Sequence, residues 1–214
     1  MMPAARLACR TLALALLVAL GGCIELNKSY PEKQFYSLDA GRVSAQASPI
    51  PGTILKVRRF PIAPQFEGRE LVYRTGELQY ESDFYHEWFV SPGAMFTQQI
   101  QNWMAASGLF QTVLDGSSVL EETHLLEGSI IALYGDVREK ASPNAVMEMR
   151  VRLVQENGAR STVVFQQDYR QTIAVADGSP DALVAGWNEE LRRILTALEE
   201  DLHRTDLLAR SRNK

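Results

Sequence analysis

Cys23 is the residue placed to do chemistry. It directly follows Leu20, Gly21 and Gly22, at the exit of the apolar run 11–20 (TLALALLVAL). The thiolate of a cysteine is the nucleophile, and two glycines leave the backbone beside it open to an enzyme. Other candidates have less behind them. His86, His124 and His203 lie far apart, and none stands in HExxH or four residues from a second metal ligand. No GxSxG elbow, P-loop or GxGxxG occurs. Carboxylates are numerous enough for a pair to meet and hydrolyse a glycan, yet no spacing singles out such a pair. His86 falls in a run of aromatics and His124 at a strand entry, while His203 sits at a helix C-terminus, where a cation is mildly favoured. The chain reads as a non-enzyme with no catalytic set, metal site or cofactor.

Outward from Cys23, Arg6 and Arg10 are the only charges before it. A basic flank, a short apolar run and a small-residue exit make residues 1–22 a secretory leader. The run is shorter than the roughly 20 apolar residues that cross a bilayer. The stretch LGGC resembles the bacterial lipobox. That resemblance implies cleavage between Gly22 and Cys23, diacylglycerol (with palmitate-type chains) on the thiol and a further acyl chain on the new amino terminus. One chain of myristoyl length binds a membrane only marginally, whereas two or three anchor it durably. Residues 23–34 then form a lipidated tether, and the eleven residues 24–34 reach roughly 35–40 Å when extended. Ile24 follows the cysteine in place of the aspartate that resembles an inner-membrane retention signal, so the outer membrane, periplasmic face, is favoured.

Composition narrows the partners. The chain of 214 residues carries a formal net charge of −4. The leader removes two arginines and no acids, which leaves 20 basic against 26 acidic residues and a net charge of −6. That balance excludes nucleic acid, whose phosphates demand a basic face. It equally excludes membrane binding through a polybasic patch. Cys9 departs with the leader and Cys23 is acylated, so no cysteine remains for a disulfide.

The remaining chain, 35–203, reads as one domain followed by a polar tail, 204–214. A short β run starts at Phe35, and 53–60 (TILKVRRF) alternates as a strand stopped by Pro61 and Pro64. Residues 69–74 and 77–80 read as a hairpin with a tight turn at Thr75-Gly76. Ser91 and Pro92 start a helix with Phe96, Ile100, Trp103 and Met104 on one face, and Gly108 stops it. With the strand at 109–114 this forms a strand–helix–strand unit, expected to be parallel and right-handed.

From 124 to 175 the pattern is β. Leu126, Gly128, Ile130, Ala132 and Tyr134 fall on one side of the first strand, and Gly128 suggests a bulge or a close approach. Met147, Met149, Val151 and Leu153 oppose Glu148, Arg150 and Arg152, which is a sheet with one wet face. Asn157-Gly158 is a hairpin turn. The return strand carries Val163, Phe165, Tyr169 and Ile173 on a shared side. Ser179 and Pro180 open a closing helix whose stripe is Leu183, Trp187, Leu191, Ile194, Leu198 and Leu202. The expected fold is therefore α+β: a mixed, mostly antiparallel sheet with two main helices packed on one face, preceded by a lipoprotein signal peptide.

The run 80–89 (YESDFYHEWF) crowds Tyr80, Phe84, Tyr85, Trp88 and Phe89 into a stretch that reads as a loop entering the first helix. It is either core packing where a loop crosses the sheet or a contact surface, since exposed aromatics mark interfaces. Arg74, Tyr80, Phe84, Tyr85 and Trp88 are the candidate partner contacts.

The order of motifs resembles the ABC-type transport auxiliary lipoproteins, the paraquat-inducible protein C-like family: a lipobox, FYSLD, ILKVRRFPIAP, LVYR, a strand ending at Tyr80, and a tryptophan before a proline-started helix (HEWFVSPGAMFTQQI). Tyr73, Arg74, Tyr80, Trp88 and Pro92 match the pattern. Phe89-Val90-Ser91 departs from it, where relatives commonly carry a small and an acidic residue. The resemblance implies a non-enzymatic lipoprotein of an intermembrane lipid-transport system, with ABC transporter components and a mammalian-cell-entry (MCE) domain protein as partners, and leaves a homo-oligomer open. A regulatory outer-membrane lipoprotein that touches a peptidoglycan synthase is the alternative, although its tethers are long and disordered. An envelope hydrolase is the least favoured.

Overall fold

A computed structural model describes residues 31–42, 48–158, 160–205 and 207. The leader, Gly22, Cys23 and the tether to residue 30 lie outside the described residues, as does most of the tail. The chain divides into a unit of residues 1–32 and a unit of residues 33–214. Of the first, residues 31 and 32 are described, both irregular and exposed. The second holds every regular element among the described residues.

In chain order its elements are β1 (Gln34–Tyr36), β2 (Ile50–Val57), a 3-10 turn (Pro64–Phe66), β3 (Glu70–Arg74), β4 (Tyr80–Trp88), α1 (Pro92–Ser107), β5 (Phe110–Leu114), β6 (His124–Asp136), β7 (Asn144–Glu156), β8 (Ser161–Ala174) and α2 (Pro180–Arg204). The eight strands form one open mixed sheet. The sheet is built outward from β6. One edge of β6 pairs with β7 along nearly its whole length, and β7 pairs with β8 in turn, both antiparallel. The other edge is shared. β2 runs parallel beside His124–Leu126, Ile62 bridges to Ile130, and β3 runs parallel beside Gly135 and Asp136. β5 lies outside β2, while β4 and then β1 lie outside β3.

The alternation read in β7 is present: Met147, Met149, Val151 and Leu153 are buried, and Arg150 is exposed. Both helices cover this drier face. Phe96, Ile100 and Trp103 of α1 and Trp187, Leu191, Ile194 and Leu198 of α2 are all buried in one core. At about 1.5–3 kcal/mol per fully buried side chain, the α2 stripe is a large share of the stability. Its start is capped, with Ser179 Oγ accepting the Ala182 N–H at 3.4 Å. Ser91 caps α1 differently from expectation: its side chain makes no cap bond, and its carbonyl accepts the Ala94 and Met95 N–H groups at 3.0 and 3.1 Å. Gly108 ends α1 at φ 70°, a left-handed conformation that glycine adopts freely. The expected close approach at Gly128 is real, because a Cβ there would sit 2.1 Å from the Arg150 carbonyl oxygen.

Four local expectations are corrected. The strand directly before α1 is β4, which runs antiparallel to β5, and the parallel partner of β5 is β2. A bulge at Ile131 shifts the register between Ile130 and Ala132. Because side chains alternate with period two, one extra residue sends every later side chain of the strand to the opposite face. Leu133 therefore pairs with Met147 on the helix side, and Tyr134 turns to the other side with Val146. A second irregularity between Leu153 and Val154 does the same to β8, leaving Val163 52% exposed. Finally, 80–88 is strand β4 and not a loop, and the hairpin connection spans 75–79, closed by Thr75 N–H to Gln79 O at 3.0 Å.

Candidate functional site

β4 explains why the aromatic run could be mistaken for a loop. In the β3–β4 hairpin Glu70 faces Glu87, yet Leu71 faces Asp83. Phe84, Tyr85 and His86 are left over and bulge away from β3. Asp83 holds this bulge. Its Oδ1 accepts the Tyr85 N–H at 2.9 Å and the His86 N–H at 3.2 Å. Its Oδ2 lies 2.7 Å from His86 Nδ1 and accepts the Tyr73 hydroxyl at 3.1 Å. Burial alone would raise the Asp83 carboxyl, but the bonds from Tyr85, His86 and Tyr73 outweigh it and keep it below the usual carboxylate range. Burial, and then the neighbouring Asp83 charge, push the Tyr73 phenol up.

On its outer side β4 pairs with β1 only at His86–Trp88. Around this edge stand four exposed rings: Tyr80 (46%) and Phe84 (66%) of β4, Phe89 (66%) just after it and Phe35 (50%) of β1. Three of them carry a cation. The Arg74 guanidinium lies 5.9 Å from the Tyr80 ring centroid, Lys33 Nζ 4.3 Å from Phe84, and the Arg69 guanidinium 5.5 Å from Phe35. Phe89 meets Phe35 edge-on at 6.3 Å. Beneath them Glu87, 5% exposed, ion-pairs with both Lys33 and Arg69. Those two bonds hold its carboxyl below the usual range. The result is an apolar, π-rich strip with a cationic rim, fixed by one central carboxylate. Its chemistry fits a partner surface that brings apolar side chains bordered by carboxylates.

A profile of proteins described as ABC-type transport auxiliary lipoprotein component matches residues 36–199. The chain belongs to that family. Solved structures resemble it in fold. A DUF330-family protein from Xanthomonas campestris is 14% identical with a TM-score of 0.63, over 80% of this chain and 99% of its own. A second, uncharacterised protein is 12% identical with a TM-score of 0.62 over the same shares. No curated protein matches the sequence. The family assignment makes the chain a lipoprotein of the cell envelope and an auxiliary component of transport.

Within this transport-auxiliary domain the candidate contacts separate into three settings. Phe84 and Tyr85 sit in the bulge, their rings 5.2 Å apart and edge-on. Tyr80 and Arg74 lie at the hairpin end, on the face away from the helices. Tyr80 packs edge-on against Tyr134 at 5.6 Å, and Phe66 of the 3-10 turn stacks on Tyr134 at 5.9 Å. Arg74 is braced by its bond to the Glu77 carbonyl at 2.7 Å. Trp88 departs from expectation. It is 2% exposed and packs 5.4 Å from Trp187, because residue 88 of β4 points under the helices. It supports the strip from inside and offers nothing to a partner.

Sequence reading missed Phe35, Lys33, Arg69 and Asp83. Lys33, Arg69 and Glu87 are dispersed along the chain, and only the pairing of β1 and β3 with β4 assembles them. Asp83 had a local signal, a lone aspartate inside an aromatic run. Two of the histidines have structural surroundings. His86 joins the Asp83 network, and His124 is buried between Thr123 Oγ1 at 2.9 Å and the Leu207 carbonyl at 3.2 Å. Burial pulls the His124 imidazole below its usual range, against the raising effect of that carbonyl. Among the described residues no group of three or more His, Cys, Asp or Glu could hold a metal ion, and no helix is long and apolar enough to cross a membrane.

Proposed function

We propose that this lipoprotein is a docking subunit of an ABC/MCE-type intermembrane phospholipid transport system. It is anchored through acylated Cys23 on the periplasmic face of the outer membrane and binds its partner through the β4 strip. The observation that carries this reading is the strip itself: exposed rings with their own cations along one sheet edge, in a member of a transport-auxiliary family. A tether of 24–34 reaches roughly 35–40 Å, so bridging the periplasm falls to the MCE-domain protein and docking to this chain. Arg74, Tyr80, Phe84 and Tyr85 make the contact.

The test is co-purification of the tagged full chain from detergent-solubilised membranes. Wild type is expected to recover an MCE-domain protein and the ABC components. Truncation of an interface hot spot costs about 2 kcal/mol or more, which is roughly thirtyfold in affinity, so Phe84→Ala with Tyr85→Ala should abolish recovery. Failure of wild type to recover either component would overturn the transport reading, and undiminished recovery by the double variant would move the docking site off β4. In parallel, Cys23→Ser should take up no radioactive fatty acid, and incorporation would refute acylation at this cysteine.

A further inference from the structure

The wet face of the sheet holds a second feature, remote from β4 in the strand order. Between Val57, which pairs with Leu126, and Ile62, which bridges to Ile130, the chain leaves regular pairing. Residues 58–61 there oppose 127–129, so one extra residue arches out and presents Arg58 and Arg59, both exposed. Across β6 stand Arg150 and Arg152 of β7, whose register partners are Ser129 and Glu127. Together with Pro61 and Gly128 these residues line a cleft of about 330 Å³. Four of the eight lining residues are arginine and one is acidic.

The charges do not close on themselves. Glu127 is shared between Arg58 Nη1 at 3.1 Å and Arg152 Nη1 at 3.7 Å. Arg150 is matched by Asp168, with Nε–Oδ1 and Nη2–Oδ2 both at 2.8 Å. Among the described residues Arg59 has no carboxylate within ion-pair distance. One glutamate thus serves two guanidinium groups and a third has no carboxylate, so donors of Arg58, Arg59 and Arg152 face the cleft without an anionic acceptor. A guanidinium presents its N–H groups in a planar fork that fits phosphate oxygens two at a time. Ser129 adds a hydroxyl at the floor. In a chain of net negative charge, this local excess of arginine favours an anion at one place on the surface.

We propose that this cleft binds a phosphate group, and specifically the phosphodiester of a glycerophospholipid headgroup. It is open and polar, so it takes the headgroup alone and leaves the acyl chains in the membrane. The phosphate chemistry stands on the cleft itself. The lipid source rests on the transport reading proposed for the chain.

The full chain in detergent micelles, titrated by calorimetry with glycerophosphoglycerol and separately with inorganic phosphate, tests this without any partner protein. Saturable binding of the diester is expected, weakened at least tenfold by Arg152→Gln or Arg59→Gln and by raised salt. Glu127→Gln should tighten binding severalfold, because it removes the carboxylate that competes for the same donors. A merely destabilised protein would not do that. No saturable heat with either probe, or equal affinities in all variants, would overturn the site. Tighter binding of inorganic phosphate than of the diester would overturn the headgroup assignment. Because no docking partner is present, either failure leaves the β4 reading untouched, and loss of docking at β4 leaves this one untouched.

Discussion

The two sides of β6 follow different rules. On one, β7 pairs with it and β8 with β7, both in long antiparallel register, and their solvent face carries ion pairs such as Arg150–Asp168 and Arg170–Glu148. On the other, strands are short, pairing is shared among β2, Ile62 and β3, and β4, which lies between β3 and β1, carries a bulge of three residues, Phe84 to His86. The regular side exposes charges and the irregular side exposes rings. A strand in strict alternation places each side chain by parity, so its apolar residues go to the core. A bulge frees residues from parity, and an apolar ring can then be held outside by a polar anchor beneath it. Asp83 is that anchor. The exposure of Phe84 follows from irregular backbone.

This contrast can be broken most forcefully at Trp88. Adjacent in the aromatic run, Trp88 and Phe84 should behave oppositely. Trp88→Ala is expected to cost about 3–5 kcal/mol in a urea melt, and Leu191→Ala about 2–5 kcal/mol. Phe84→Ala should stay within about 0.5 kcal/mol of wild type while losing the partner. Equal destabilisation by Trp88→Ala and Phe84→Ala would erase the distinction between inner support and outer strip.

A smaller effect concerns the helix side. Glu190 of α2 is fully buried, and its carboxylate oxygens make no ion pair and no well-formed hydrogen bond among the described residues. Burial pushes its carboxyl up to about 8, with the Ile173 amide, Arg193 and Arg170 pulling the other way. A raised folded-state value means the unfolded chain ionises first. Its contribution is therefore full below about pH 4.5 and is lost as pH rises toward 8. By pH 7 the loss is on the order of 3 kcal/mol. Glu190→Gln should flatten this slope, read as the difference in urea midpoint between the two proteins across pH 4–8. His124, with its value lowered by burial, acts oppositely: its contribution is present above about pH 6.5 and fades as pH falls. Because both proteins carry His124, the difference isolates Glu190. An unchanged slope would mean that Glu190 ionises freely in the folded state.

Asp83→Asn sharpens the account of the bulge. It keeps the shape and removes the charge that two backbone N–H groups, His86 and Tyr73 share, at a cost of about 1–3 kcal/mol. Hydrogen exchange should quicken at Tyr85 and His86 and stay unchanged in β7. The folded-state value of Asp83 is lowered, so its contribution is present above about pH 4 and disappears as pH falls below it. Exchange at Tyr85 as slow as in wild type would show that the bulge holds itself. The smallest effect belongs to the regular side, where Arg170→Gln breaks an exposed pair with Glu148 and should change stability by less than about 1 kcal/mol.

Much of this architecture was legible because its signals are local and periodic. The α2 stripe, the β7 alternation, the Asn157-Gly158 turn and the Gly108 stop each follow from residues within a few positions of one another. What only tertiary structure decided is where periodicity breaks. A single extra residue at Ile131 turned Tyr134 from the core face to a ring cluster with Phe66 and Tyr80, and no composition signal marks it. In β4, the three extra residues Phe84 to His86 leave Phe84 in solvent, while Trp88 beyond them lies beneath α2. The cations of the strip came from Arg69 and Arg74 through the β3–β4 hairpin, and from Lys33 through the pairing of β1, distant in sequence, with β4. Period and capping are written in adjacent residues. Register is set by the balance of burial over whole strands, and it is register that decides which aromatic is core and which is surface.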